Sequence, residues 1–126
     1  RPLMNETEIN SWIKLGMDIG AHTKNHSDLT SIPIPEVKKE IGDCKNELER
    51  KYNVKVTDFC YPFGRFNELV SRVTKDLGFH TATTMNRGRV NFQSNSYALP
   101  RIPITHHTLP HLFVIKILTN YEDKKK

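Results

Sequence analysis

His22 and His26 stand four residues apart in Gly20-Ala21-His22-Thr23-Lys24-Asn25-His26, directly after the short apolar run Met17 to Ala21. Zinc prefers imidazole nitrogen, and a catalytic zinc takes three protein ligands and keeps an open position for water. Histidines four apart on a helical turn present their rings to one point. Gly20-Ala21 lets the backbone turn tightly after a strand, which favours a metal pair over two surface histidines, although with six histidines in 126 residues both readings stay open. Asp18 shares a strand face with His22 by parity, yet about 13 Å back along an extended strand it is too far away to share an ion.

A second stretch, Phe59-Cys60-Tyr61-Pro62-Phe63-Gly64-Arg65, also follows an apolar run. Pro62 fixes the bend, and Gly64 permits a backbone conformation closed to other residues. Such a turn can aim a backbone N–H into a cleft, as an oxyanion donor requires. Taken alone, it reads more simply as a strand-to-helix turn lined with aromatics.

The elements that would carry these stretches alternate. Asn5 to Leu15 reads as a helix, with Asn5 and Glu8 as a capping box, Ile9, Trp12 and Ile13 on one face, and Gly16 as the stop. Met17 to Ala21 reads as a short strand. Pro35 to Tyr52 is the longest helix, its stripe formed by Val37, Ile41, Cys44, Leu48 and Tyr52. Lys55 to Tyr61 is a strand. Asn67 to Leu77 is a helix with Leu69, Val70, Val73 and Leu77 inward, stopped by Gly78. Phe79 to Thr84 and Leu99 to Ile104 are extended, and Thr108 caps a last helix through about Asn120. Strands separated by helices imply crossover units and a parallel sheet, with sites at the carboxyl ends of its strands. Both stretches occupy that position. The chain opens on a helix, so the sheet is expected to lack its first strand or strands.

Bulk composition narrows the function classes. The net charge of +5 includes the closing Lys124, Lys125 and Lys126, a solvated tail. The remaining surplus is diffuse and no aromatic-basic stripe accompanies it, so nucleic acid is not an expected partner. No run approaches the ~18 apolar residues of a membrane span, and nothing at the start looks like a signal peptide. That says little, because with Arg at residue 1 the true beginning is expected to be missing or removed. Cys44 and Cys60 lack the spacing of a zinc or redox pair and read as buried small apolar residues. His80, in mid-strand, reads as a core histidine.

Together the two stretches resemble the polysaccharide deacetylase family, the NodB-homology esterases of carbohydrate esterase family 4. The similarity runs from Gly16 to Thr23 with His26, through Leu29-Thr30, the Glu40 to Leu48 helix, Phe59 to Gly64 and Gly78 to Ala82, to Leu99-Pro100-Arg101-Ile102. The resemblance implies an α/β fold, an incomplete (β/α) barrel of parallel strands missing its first strand or strands. It implies a partial domain over residues 1–121, with 122–126 as a basic tail. It also implies amide hydrolysis on an N-acetylhexosamine polysaccharide such as a poly-N-acetylglucosamine, with zinc or another divalent metal as cofactor and a secreted or cell-envelope location. On the matching positions, His22 and His26 would ligate the metal and the Phe63 N–H would steady the oxyanion. Tyr61, Pro62 and Gly64 would shape the substrate groove.

The departures are as informative. The family's third ligand and general base are two adjacent aspartates on the first barrel strand, and no Asp-Asp pair occurs in this sequence. The chain therefore reads as the carboxyl-terminal portion of such a domain, completed by an amino-terminal segment or a second copy. Cys60 stands where many members have an arginine that orients the base, and Arg101 is the nearest substitute by type. His106 is the candidate general acid, with His107 beside it. The alternative is a catalytically inactive remnant that binds glycan or protein.

Overall fold

The computed structural model describes residues 3–123. Helix α1, Glu6–Lys14, begins with the expected capping box: Glu8 N–H donates to Asn5 Oδ1 at 3.0 Å, and Asn5 N–H to Glu8 Oε2 at 2.8 Å. The cap starts the helix but does not bury it, since none of its residues is buried. It is tethered instead by Trp12 Nε1, which donates to the Asp18 carbonyl at 3.2 Å, and by a Glu6–Lys51 ion pair to the next helix. That helix, α2, Ile34–Tyr52, sinks Val37 and Ile41 fully into the core and ends at Asn53 in the left-handed conformation (φ +51°).

Three strands, β1 (Asp58–Cys60), β2 (Thr81–Arg87) and β3 (Leu99–Arg101), form a parallel sheet in the order β1-β2-β3. Phe59 lies opposite Ala82, and both are buried on the face that α2 and α3 cover. Phe59 packs edge-on to Tyr61 at 5.3 Å and against Phe79 at 5.4 Å, making the aromatic centre of the core. The expected strand over Met17 to Ala21 contracts to a single bridge. Ala21 N–H donates to Asp58 and Cys60 N–H to Ala21, each at 2.9 Å, on the free edge of β1. Met17 is exposed and has no neighbouring strand to hold it extended.

Helix α3, Glu68–Asp76, is capped by Asn67, whose side chain accepts from Val70 N–H at 2.9 Å. Its inward stripe differs from expectation at one position. Leu69 is half exposed, and Thr74 takes the buried place with its hydroxyl donating to the Val70 carbonyl at 2.9 Å. His80 is not a core histidine: it is exposed just before β2. The last helix, α4, Pro110–Leu118, is capped by Leu109 and not by Thr108, because Thr108 Oγ1 closes a local turn by accepting from Thr105 N–H at 3.0 Å. Its apolar residues Phe113, Val114, Ile117 and Leu118 remain exposed.

Glu122 and Asp123, expected in the basic tail, are held by the fold. Glu122 is fully buried, 2.8 Å from Lys116 Nζ, and Asp123 Oδ1 accepts from Arg89 N–H at 2.7 Å. Lys124 to Lys126 lie outside the described residues. Cys44 and Cys60 are free thiols, half-buried instead of enclosed. No described helix is long and apolar enough to cross a membrane.

Candidate metal centre

The site forms at the carboxyl end of β1. His22 Nδ1 lies 2.7 Å from the Cys60 carbonyl. A carbonyl can only accept, so Nδ1 carries a proton, and in the neutral ring Nε2 is then the nitrogen left for a metal. The His26 ring meets the His22 ring edge-on, with centroids 4.8 Å apart. The segment between them is not the helical turn that the spacing suggested. Thr23 (φ +63°) and His26 (φ +55°) both adopt left-handed conformations that cost an L-residue about 1–2 kcal/mol.

Something must hold that turn, and Glu40 of α2 does. Its carboxylate accepts from Asn25 N–H at 2.9 Å and from Asn25 Nδ2 at 2.6 Å, while its carbonyl accepts from Lys24 N–H at 3.1 Å. Sequence reasoning missed Glu40. The available signal was its place three residues after Val37 and four before Cys44, which puts a carboxylate beside the apolar stripe.

The second stretch turns through a short 3-10 segment, Pro62–Gly64. Gly64 N–H donates to the Tyr61 carbonyl and Arg65 N–H to the Pro62 carbonyl, but Phe63 N–H donates to no described group. Phe63 itself is left-handed (φ +56°, ψ +9°) and half exposed, and its ring meets His26 edge-on at 4.7 Å. Gly64 (φ +65°) has no alternative, since a Cβ there would sit 2.6 Å from the Met85 backbone nitrogen. The two stretches, some forty residues apart in sequence, thus converge on His22, His26 and the free N–H of Phe63.

Asp28 and Arg65 latch the loops together through a 2.7 Å ion pair. Hydrogen bonds from Thr30 and then from Arg65 lower the Asp28 carboxyl to about 2. Tyr61 does not form a groove wall with its side chain. It is buried, stacked on Phe66 at 5.0 Å with its hydroxyl donating to the Tyr97 carbonyl at 3.0 Å, and burial raises its pKa. Pro62 is buried beside it, so both support the turn from beneath.

Arg101, at the end of β3, places NH1 3.6 Å from Cys60 Sγ. The guanidinium thus reaches the position where the sequence departs from the family pattern. His106 is less well placed. Its ring meets that of His107 at a tilt, centroids 3.8 Å apart, in an exposed turn, and no hydrogen bond or ring contact among the described residues joins it to the histidine pair.

The donor set fits part of a zinc site. Two imidazoles meet edge-on with the His22 Nδ1 proton fixed by the Cys60 carbonyl, but the described residues contain no group of three or more potential ligands. A third donor must come from elsewhere for the site to reach the usual catalytic number.

Comparison with known proteins agrees with this fold. The polysaccharide deacetylase family model matches residues 3–82. YxkH of Bacillus subtilis, named as a polysaccharide deacetylase of that family, is 24% identical over 102 residues, covering 81% of this chain and 37% of its own. Among solved structures, the Streptococcus pyogenes deacetylase PplD superposes with a TM-score of 0.85 at 24% identity, over 90% of this chain and 50% of PplD. The Bacillus cereus polysaccharide deacetylase BC0361 gives 0.80 at 26% identity, over 88% of this chain and 35% of that one. The fold is shared more distantly with BA3943 of Bacillus anthracis, a pseudoenzyme of carbohydrate esterase family 4 (TM-score 0.56, 20% identity, 60% of this chain and 27% of that one). The chain spans half or less of the length of these relatives, and its three-stranded parallel sheet corresponds to a fragment of the family's barrel. By the match over residues 3–82 and the architecture that carries it, this chain belongs to the polysaccharide deacetylase family.

Proposed function

We propose that the chain carries the metal-binding and oxyanion side of a metal-dependent N-deacetylase acting on an N-acetylglucosamine-type polysaccharide of the cell envelope. The observation that supports it is the convergence of His22, His26 and the unpaired Phe63 N–H at one strand end. An amide is a weak electrophile with a poor leaving group, so its hydrolysis needs a polarised carbonyl, an activated water and a proton for nitrogen. When bound, a divalent metal supplies Lewis acidity for the first two needs. His22, through Nε2, and His26 would hold it. The Phe63 N–H donates to the carbonyl oxygen as charge develops there. Gly64 lets the turn lie against Met85, where a side chain would clash, and the base is supplied from outside the described residues. His106 is the remaining candidate to deliver the proton to the departing amine, and needs its turn to approach the pair.

The second reading is an inactive scaffold that binds glycan or protein. It is favoured by the lack of a third ligand among the described residues and by the pseudoenzyme that shares the fold. Zinc calorimetry and acetate release from an N-acetylglucosamine oligomer, both on the complete protein, separate the two. The deacetylase reading expects one-to-one binding that His22→Ala abolishes, together with all activity of the complete protein. Full activity in that variant would refute it, and metal-independent glycan binding without acetate release would favour the scaffold.

A further inference from the structure

Past Gly64 the rim of the sheet opens into a cavity of about 360 Å³ lined by Met85, Arg87, Arg101, Ile102, Pro103 and Ile104. It neighbours the metal centre. Gly64 lies against Met85, and Arg101 touches Cys60, whose carbonyl holds His22. Arg87 and Arg101 are register partners on adjacent strands, so both guanidiniums leave the sheet at one level.

Charge around this cavity does not balance. The buried Glu122 lies 2.8 Å from Lys116 Nζ and 3.6 Å from Arg87 NH1, so one carboxylate answers two cations. Arg101 has no carboxylate partner among the described residues. Three cations (Arg87, Lys116, Arg101) against one anion (Glu122) leave an excess of two positive charges at the cavity. Nearby Arg89 is already matched by Asp123 at 3.3 Å and does not add to it.

A guanidinium offers a planar fork of donors that fits a carboxylate or a phosphate oxygen pair. Glu122 restrains Arg87 from behind, so less side-chain freedom is lost when a ligand binds. Ile102, Ile104 and Met85 provide apolar area for the C–H faces of a sugar ring. A neutral glycan would leave Arg101 without a carboxylate partner among the described residues and Arg87 with only its share of Glu122. We propose that this cavity is a subsite for an acidic group on the glycan, a uronic carboxylate or a phosphodiester, recognised by Arg87 with Arg101. The inference rests on reading the rim as a glycan groove, and it is independent of whether the chain is catalytic.

Calorimetric titration of the full chain at low salt with a hyaluronan tetrasaccharide, a glycerol-phosphate oligomer and neutral chitotetraose tests it. At least one acidic probe should bind about tenfold tighter than chitotetraose, the scale of a charge-assisted contact, and high salt should erase the advantage. Which acidic probe wins identifies carboxylate or phosphodiester. Arg87→Gln should remove the preference while Glu122 keeps Lys116. Ile104→Asp, at a half-exposed position, should remove it by placing a carboxylate in the cavity without touching the ion cluster, and so decides the matter if Arg87→Gln fails to fold. His22→Ala should keep the preference, which separates failure of the metal reading from failure of this one. Equal binding of acidic and neutral probes, no binding of either acidic probe, or a preference that survives Ile104→Asp would overturn the proposal.

Discussion

Asp28 accepts from Thr30 N–H at 3.0 Å, from Thr30 Oγ1 at 2.7 Å and from Arg65 NH1 at 2.7 Å, so its ionised form is favoured in the folded chain. Its carboxyl, lowered from the ordinary 3.8 to about 2, binds fewer protons folded than unfolded between those values. A depressed folded pKa contributes stability that is fully present above about pH 4 and lost as pH falls toward 2. Because Asp28 joins the loop after His26 to the loop after Phe63, that loss falls on the site's own geometry. Asp28→Asn should therefore lower the melting temperature at pH 7 and flatten its fall between pH 4 and 2. Melts of both proteins across that range check it, and parallel curves would mean that the latch contributes nothing.

Helix α2 does more than cover the sheet. Val37 and Ile41 fix its rotation in the core, and that rotation delivers Glu40 to the backbone of the histidine loop. Partners behind metal ligands typically contribute 10- to 100-fold to affinity. Glu40→Ala should weaken zinc binding by about tenfold, because the left-handed turn at Thr23 to His26 is no longer held in one arrangement. Unchanged affinity in calorimetry would disconnect α2 from the site. The same scale shows what the sequence could reveal. Helix α1 was legible from its capping box and α3 from Asn67 and Gly78, because caps and stops are local chemistry. The convergence of the two stretches was legible only through resemblance. Glu40, Asp28–Arg65 and the left-handed Phe63 depend on tertiary contacts that no periodicity encodes. The Met17 to Ala21 strand was over-read, since apolar character at Met17 and Ile19 implied a partner strand that the sheet does not provide.

Across the whole molecule, the least sequence-legible feature is the way residues 121–123 close over the end of the sheet. The domain boundary expected from the resemblance put Glu122 in a basic tail of residues 122–126. In the fold it is fully buried against Lys116, itself 11% exposed at its side chain, and Lys116 Nζ also donates to the Pro103 carbonyl at 2.7 Å. This ties α4 to the segment after β3, while Arg87 and Arg89 tie the same short segment to β2 and the loop beyond it. Removing one partner from a buried ion pair strands the other charge, at a cost of roughly 3–5 kcal/mol. An exposed pair is worth about 0–1 kcal/mol. Glu122→Gln should thus cost about 3 kcal/mol against a total stability on the order of 5–15 kcal/mol for a domain. Asp123→Asn, whose side chain is 37% exposed, should cost less than about 1 kcal/mol. Denaturant titration of the two variants side by side reads the difference. If they prove equal, burial at Glu122 does not concentrate its charge energy, and residues 121–123 are an appendage and not a closing strap. If Glu122→Gln is the costly one, the strap sets the position of Arg87, and with it the charge presented at the mouth of the groove.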